Sequence, residues 1–302
     1  MSDAVLADAT TEVMAARPIA RRRGVWHAVR RRVLFWLPLG MLAILVFLAV
    51  APGLVADIFG HGDPRACDLS HSAQPPSPGH PFGLDLQGCD VFAQVIYGTR
   101  ASLTVGLCCT VIALGIGLII GTVAGYVGGW PDMLLARVTD VFLGFPFLLG
   151  AIVVLNSLGG RSVWTVSLVL ALFSWPTMAR LVRTSVRATR DAEYVQAAQA
   201  MGLPTRRVVG RYLLPNAVGP MLAVATLTVG GVIVAESTLT FLGLGLRPPS
   251  ISWGLQLATA QSRFQQAPHT LIFPAIFLAV TVLSLITLGD VLRDAVNPKG
   301  RG

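Results

Sequence analysis

The chain has 302 residues, 54% of them hydrophobic and only 13% charged, and its mean hydropathy is +0.68. Soluble domains carry about a quarter charged residues, so this composition excludes disorder and argues against an ordinary soluble domain. The net charge of +8 would suggest a nucleic-acid partner in a soluble protein, but membrane topology uses the same basic side chains, and their placement decides between the two.

A membrane helix needs about 20 predominantly apolar residues. In chain order, such stretches cover 33–56, 101–127, 138–158, 163–182, 217–239 and 268–292, and each is expected to be a span. The basic segment 1–32 precedes the first, whose length and flanks are not those of a cleavable signal. With the N-terminus placed in the cytoplasm, eighteen basic residues fall inside, and five (Arg65, Arg100, Arg161, Arg247 and Arg263) fall outside. That asymmetry predicts both termini inside and assigns the arginine clusters to topology, with no nucleic-acid role.

Residues 57–100 read as an extracytoplasmic loop, with Pro75-Pro76-Ser77-Pro78-Gly79 barring a helix there. Cys67 and Cys89 lie in this loop, where an oxidising compartment permits a disulfide without requiring one. Cys108 and Cys109 read as small apolar packing residues. In the second span Gly117, Gly121 and Gly125 recur on one face, which predicts close helix packing. Asp140 sits near the inner end of the third span, placed to pair with Arg137 or a neighbouring helix.

The most informative stretch is the inside loop 183–216. Asp191 is a good N-cap, Glu193 suits the first turn, and Gly202 is a natural stop, with Pro204 opening a second helix over 205–213 that ends before Pro215. Tyr194, Val195 and Met201 are positioned to insert into a partner. Two readings stand for this helix: an amphipathic element on lipid headgroups, or a helix docked in a groove of a cytoplasmic protein. Further on, Glu236 lies towards the outer end of the fifth span, where a carboxylate needs a partner, a cavity or water. Residues 247–267 form a second outer loop with Trp253 near the boundary, and 293–302 form a cytoplasmic tail. The sequence has no Gly-x4-Gly-Lys-Ser/Thr phosphate loop and no His-x3-His or Cys-x2-Cys pair, so no nucleotide, metal or other cofactor is expected in this chain.

The spacing Gln196-Ala197-Ala198, three residues, Gly202, nine residues, Tyr212, one residue, Leu214-Pro215 resembles the EAA loop of ABC importer permeases. Gln196 stands where the general pattern has Glu, and Tyr212 where it has Ile. Further stretches are similar to one branch, the C-type permeases of oligopeptide, dipeptide and nickel importers. These are His80-Pro81-Phe82-Gly83 through Asp90-Val91, Tyr97-Gly98-Thr99-Arg100, Glu236 through Gly245 with Pro248-Pro249 and Trp253-Gly254, Gly289-Asp290, Asn297-Pro298-Lys299, and Asp140 with Pro146. Cys89 departs from the pattern, which has Arg there.

The resemblance implies an all-α integral membrane protein of the ABC type I importer permease fold, with six transmembrane helices in a bacterial cytoplasmic membrane. It implies no catalysis in this chain. The implied partners are a homologous second permease, two cytoplasmic ABC ATPases that hold the ATP and Mg, an extracytoplasmic peptide-binding protein and a peptide substrate. ATPase coupling falls on Asp191, Glu193, Tyr194, Gln196, Ala197, Ala198, Met201, Gly202, Leu214 and Pro215. Glu236, Asp140 and Trp253 are pathway or gate candidates. A nickel importer is the alternative within the family. A stand-alone secondary transporter would want ionisable groups at mid-span, and those in this sequence are peripheral.

Overall fold

The computed structural model describes residues 33–59 and 62–296. The basic segment 1–32 and the motif Asn297-Pro298-Lys299 lie outside the described residues. Within them the regular structure is helical, and the loop pairings Cys67–Cys89, Ser77–His80 and Leu84–Asp90 are isolated bridges.

Helix α1 (Val33–Val50) carries Pro38, and α2 (Pro52–Ala56) has its proline in the first turn. Helix α3 (Val91–Val127) starts ten residues before the expected span. Its cap is Asp90, whose carboxylate accepts from the Ala93 amide at 2.9 Å. A hydropathy reading marks only the apolar part of a helix, and α3 is about 55 Å long at 1.5 Å per residue, so its first turns project beyond the apolar run.

The expected third span, 138–158, is a broken pair. Helix α4 (Gly129–Gly144) and α5 (Phe147–Leu158) meet at 86°. Pro146 sits in the break, and Phe145 before it is extended at φ −82°, ψ 131°, as a residue preceding proline prefers. Helix α6 (Val163–Arg190) is capped by Ser162 and runs through the first quarter of the expected inside loop. Short α7 (Glu193–Ala200) follows, then α8 (Thr205–Phe241), α9 (Trp253–Ala260) and α10 (His269–Val296). Among the described residues, α3, α6, α8 and α10 are each long and apolar enough to cross a membrane. The α4–α5 pair forms a bent fifth candidate, and Phe35–Val50 is a shorter apolar helix.

The bundle is assembled on glycine. A Cβ on Gly117 would come within 2.5 Å of Met178 Cβ, one on Gly121 within 2.5 Å of the Ala179 carbonyl oxygen, and one on Gly125 within 2.8 Å of the Arg183 carbonyl oxygen. The three-glycine face of α3 therefore lies directly against the backbone of α6, the small-residue packing expected between membrane helices. Gly289 lets α10 close on α8 against the side chains of Thr226 and Leu227. Val105, Val166, Leu170, Val232 and Leu239 fill the outer half between α3, α6 and α8, while Val182, Val186, Val195, Leu213 and Met221 fill the inner half. Many other large apolar side chains, including Val111, Ile119, Leu168 and Leu283, point outward, a surface suited to lipid or a second subunit.

Candidate coupling surface and outer cap

At the inner end α6, α7 and the start of α8 make one unit. Val195 and Ala198, three positions apart on α7, are both buried, Val195 in a cluster with Val182, Val186, Val208 and Leu213. The opposite face carries Glu193, Tyr194, Gln196 and Ala197, all exposed, with Met201 at the C-cap 75% exposed. Gly202 ends the helix at φ +80°, with its amide bonded to the Gln199 carbonyl and the Leu203 amide to that of Ala198. This Schellman stop favours glycine because an L side chain is strained there. Asn216 Nδ2 donates to the Tyr212 carbonyl at 2.6 Å and to Tyr194 Oη at 3.4 Å, tying α7 to α8.

Three expectations for this stretch need correction. Val195, expected to insert into a partner, is instead fully buried in this subunit's own apolar cluster. Asp191 is not the N-cap of α7. It is the C-cap of α6, paired with Arg190 Nε at 3.2 Å, and Ala192 occupies the N-cap without a side-chain bond. The helix at 205 does not end before Pro215 either. A π turn at Val209–Leu213 leads straight into Leu214–Phe241. Proline lacks the N–H that an α-helix would direct to residue 211, and a wider turn just before it accommodates that loss. Ala198 is buried and Leu214 half-buried, so both support the surface from behind, whereas Pro215 is exposed.

Beside this unit, Asp132 of α4 pairs with Arg183 Nε and, at 2.7 Å, with Arg183 Nη2, while Arg187 approaches at 3.9 Å. Arg190 Nη1 donates to the Tyr126 carbonyl at 2.9 Å, and Asp140 pairs with Arg180 Nη2 at 2.9 Å. A ladder of α6 arginines thus fastens α4 and the end of α3 to the helix that leads into α7. Asp140 finds its partner on a neighbouring helix, and Arg137 plays no part in that pair. The Asp132–Arg183 pair was not singled out in the sequence, because fifty-one positions separate the two.

At the outer end Glu236 has no exposed surface. Its carboxylate accepts from Thr240 Oγ1 at 2.9 Å, Ser237 Oγ at 3.3 Å and Ser252 Oγ at 3.3 Å. Ser252 is also the N-cap of α9, accepting from the Leu255 amide. Trp253 is fully buried, its Nε1 donating to the Val95 carbonyl at 3.1 Å. Glu236 and Trp253 are therefore buried joints inside this subunit. The loop 62–90 is tied down beside them. Cys67 and Cys89 are disulfide-bonded, His80 Nδ1 meets Asp90 Oδ2 at 2.6 Å, Phe82 stacks on Phe273, and His269 Nε2 meets the Leu84 carbonyl at 2.9 Å. Cys108 and Cys109 are free thiols inside α3. Among the described residues no group of three or more His, Cys, Asp or Glu is placed to hold a metal ion.

Residues 117–302 match the family model of the binding-protein-dependent transport system inner membrane component. The chain belongs to this family. It is 37% identical to the dipeptide transport system permease protein of Alkalihalophilus pseudofirmus, over 86% of this chain and 84% of that one. It is 36% identical to the oligopeptide transport system permease protein of Haemophilus influenzae, over 85% and 82%. The glutathione transport system permease protein of Pectobacterium atrosepticum is 33% identical over 95% of this chain and 96% of its own. Among solved structures, the inward-facing MetNI methionine ABC transporter superposes with a TM-score of 0.55 at 18% identity, over 67% of this chain and 96% of that chain. This last likeness shows the fold alone. The permease is thus a multi-pass membrane subunit of an ABC importer, working with ATPase and substrate-binding partners.

Proposed function

We propose that this permease forms half of the translocation pathway of an ATP-driven importer of dipeptides or oligopeptides in a bacterial cytoplasmic membrane. A homologous second permease supplies the other half. Two cytoplasmic ATPases hold ATP and Mg, and this chain holds no cofactor. The peptide class rests on the named activities of the relatives; glutathione, a tripeptide, belongs to the same class, and nickel is not favoured.

One observation carries the coupling role. Helix α7 is pinned on one side by Val195 and Ala198 and stopped by Gly202, while it offers Tyr194, Gln196, Ala197 and Met201 outward. A short helix held this way transmits force, because a push on its exposed face reaches α6 and α8 through buried contacts. Closure of the ATPases on α7 would then rock the spans between outward- and inward-facing arrangements. Six spans with both termini in the cytoplasm agree with the basic residues counted along the sequence.

The test is purification of the assembled importer from its native membrane in mild detergent, followed by ATPase assay with and without di- to pentapeptides. ATPase subunits in fixed ratio and peptide-stimulated hydrolysis are expected once the binding protein is present. A chain that purifies alone would overturn the reading.

A further inference from the structure

The end of the bundle opposite α7 carries positive charge that no helix contact neutralises. Arg65 and Arg100 line one cleft of about 280 Å³ with Tyr97, Thr104 and Ser250, and no Asp or Glu lines it. Val163 and Pro249 also line it, each two positions after a further arginine, Arg161 and Arg247, and Ala101 and Ile251 complete the wall. None of these four arginines forms an ion pair among the described residues. Arg65 Nη2 donates to the Pro249 carbonyl at 2.8 Å and Arg161 Nη1 to the Gly243 carbonyl at 3.0 Å. These bonds hold two guanidinium groups to the 243–249 loop without an ion pair, while Asp63 accepts from the Arg65 backbone amide at 2.9 Å. Desolvation, and then the nearby charge of Arg247, hold the Arg161 guanidinium below its usual value.

Across the segment 250–251 lies a second cleft of about 420 Å³, whose charged residue is Asp85, with Gln87, Gln94 and Ser262 around it. The outer face is therefore bipolar, with arginines on one side of a shared ridge and a carboxylate on the other. The arginine cleft is built partly from the loops 62–90 and 247–252 and partly from α3 and the first residue of α6, so it opens at the outer boundary of the bundle. A phosphate headgroup would have no use for the acidic cleft beside it.

We propose that the arginine cleft is the seat for an acidic patch on the extracytoplasmic binding protein, with an Asp or Glu carboxylate entering between Arg65 and Arg100. The inference rests on the importer reading and its orientation, and adds which charge the partner must present and where. Guanidinium forks match carboxylates in a bidentate geometry. Charge complementarity of this kind steers association and fixes register, and it weakens with salt. The neighbouring Asp85 cleft would oppose a docking rotated by half a turn.

The test uses the assembled importer in lipid nanodiscs and the binding protein recovered with it, with affinity measured at low and high salt. Wild-type affinity should fall at least tenfold between 50 and 500 mM salt. Arg65→Glu with Arg100→Glu should weaken low-salt binding at least tenfold and flatten the salt dependence, whereas Arg263→Glu, outside the cleft, should change affinity less than threefold. Should the double reversal fail to assemble, Arg65→Gln with Arg100→Gln should weaken binding about threefold in an intact complex. Unchanged affinity in assembled variants would overturn the proposal, as would lost uptake with normal docking, which would assign the cleft to lipid, substrate or the second permease. Absence of any wild-type binding would remove the importer reading together with this one.

Discussion

A fully buried carboxylate in a membrane helix is tolerated only when donors surround it. Glu236 meets that condition through Thr240, Ser237 and Ser252, and it joins the end of α8 to the cap of α9. Removing it leaves three hydroxyls facing a void, a loss of about 2–4 kcal/mol by the usual cost of breaking a buried polar network. Glu236→Ala should lower the thermal midpoint of the detergent-solubilised complex by several degrees, and Glu236→Gln, which keeps an acceptor, by much less. Equal midpoints for both variants and wild type would show that the cluster carries no stability. The glycines divide as sharply. A Cβ at Gly121 would stand 2.5 Å from the Ala179 carbonyl oxygen, while one at Gly115 meets nothing within 4 Å. Gly121→Ala should force α3 off α6 at a cost of about 1–3 kcal/mol, and Gly115→Ala should be neutral or slightly stabilising. The two are compared by melting temperature and by yield of assembled complex.

At the scale of elements, α7 is a lever whose usefulness depends on where it stops. Gly202 has φ +80° with open space around a built Cβ, so a side chain there is strained but not blocked, and it projects beside the exposed face. Gly202→Asn, which tolerates the left-handed region, should retain most uptake. Gly202→Asp should assemble in the membrane, yet lose peptide uptake and peptide-stimulated hydrolysis, because it sets a charge at the docking edge. Normal uptake by the Asp variant would remove coupling from this helix. The stop at Gly202 was legible in the sequence because a left-handed residue after an alanine-rich run has few alternatives. The cap at Asp191 was misplaced because α6 does not end where its apolar run ends. Arginines 183, 187 and 190 continue the helix into water and leave Asp191 at its terminus. The 86° break at Pro146 stayed hidden inside a continuous apolar string, since hydropathy is blind to backbone direction. The π turn before Pro215 was equally hidden, as its only signature is a proline that usually ends a helix. Pairings across distant sequence, such as Asp132 with Arg183, have no local signal at all.

At the scale of the whole molecule, the two ends are held by different means. The inner end is a packed apolar cluster with an arginine ladder, continuous with α3, α6 and α8. The outer loop 62–90 is short of regular structure and is kept in place by scattered links: the Cys67–Cys89 bond, the Phe82–Phe273 stack, the His269–Leu84 contact, and the side-chain bonds of Arg65 to Pro249, His80 to Asp90 and Gln94 to Asp85. A disulfide closing a loop of this size contributes on the order of 3 kcal/mol. That is enough to decide whether a loop held otherwise by individual weak contacts stays closed, because local opening energies start near zero. The oxidised protein should therefore expose two alkylatable thiols out of four after denaturation, those of Cys108 and Cys109, and all four after reduction. Reduction, or Cys67→Ser with Cys89→Ser, should open 62–90 to limited proteolysis while cleavage within α6–α8 stays unchanged. Weaker docking of the binding protein should accompany the opening, since Arg65 rides on the same loop, but ATPase co-purification should persist, since α7 sits at the far end. Four thiols without reduction, or equal proteolysis of the oxidised and reduced forms, would show that the bond does not hold the outer cap. If reduction instead released the ATPases, the two ends would be one cooperative unit, and the outer cap could not be altered without disturbing the coupling helix.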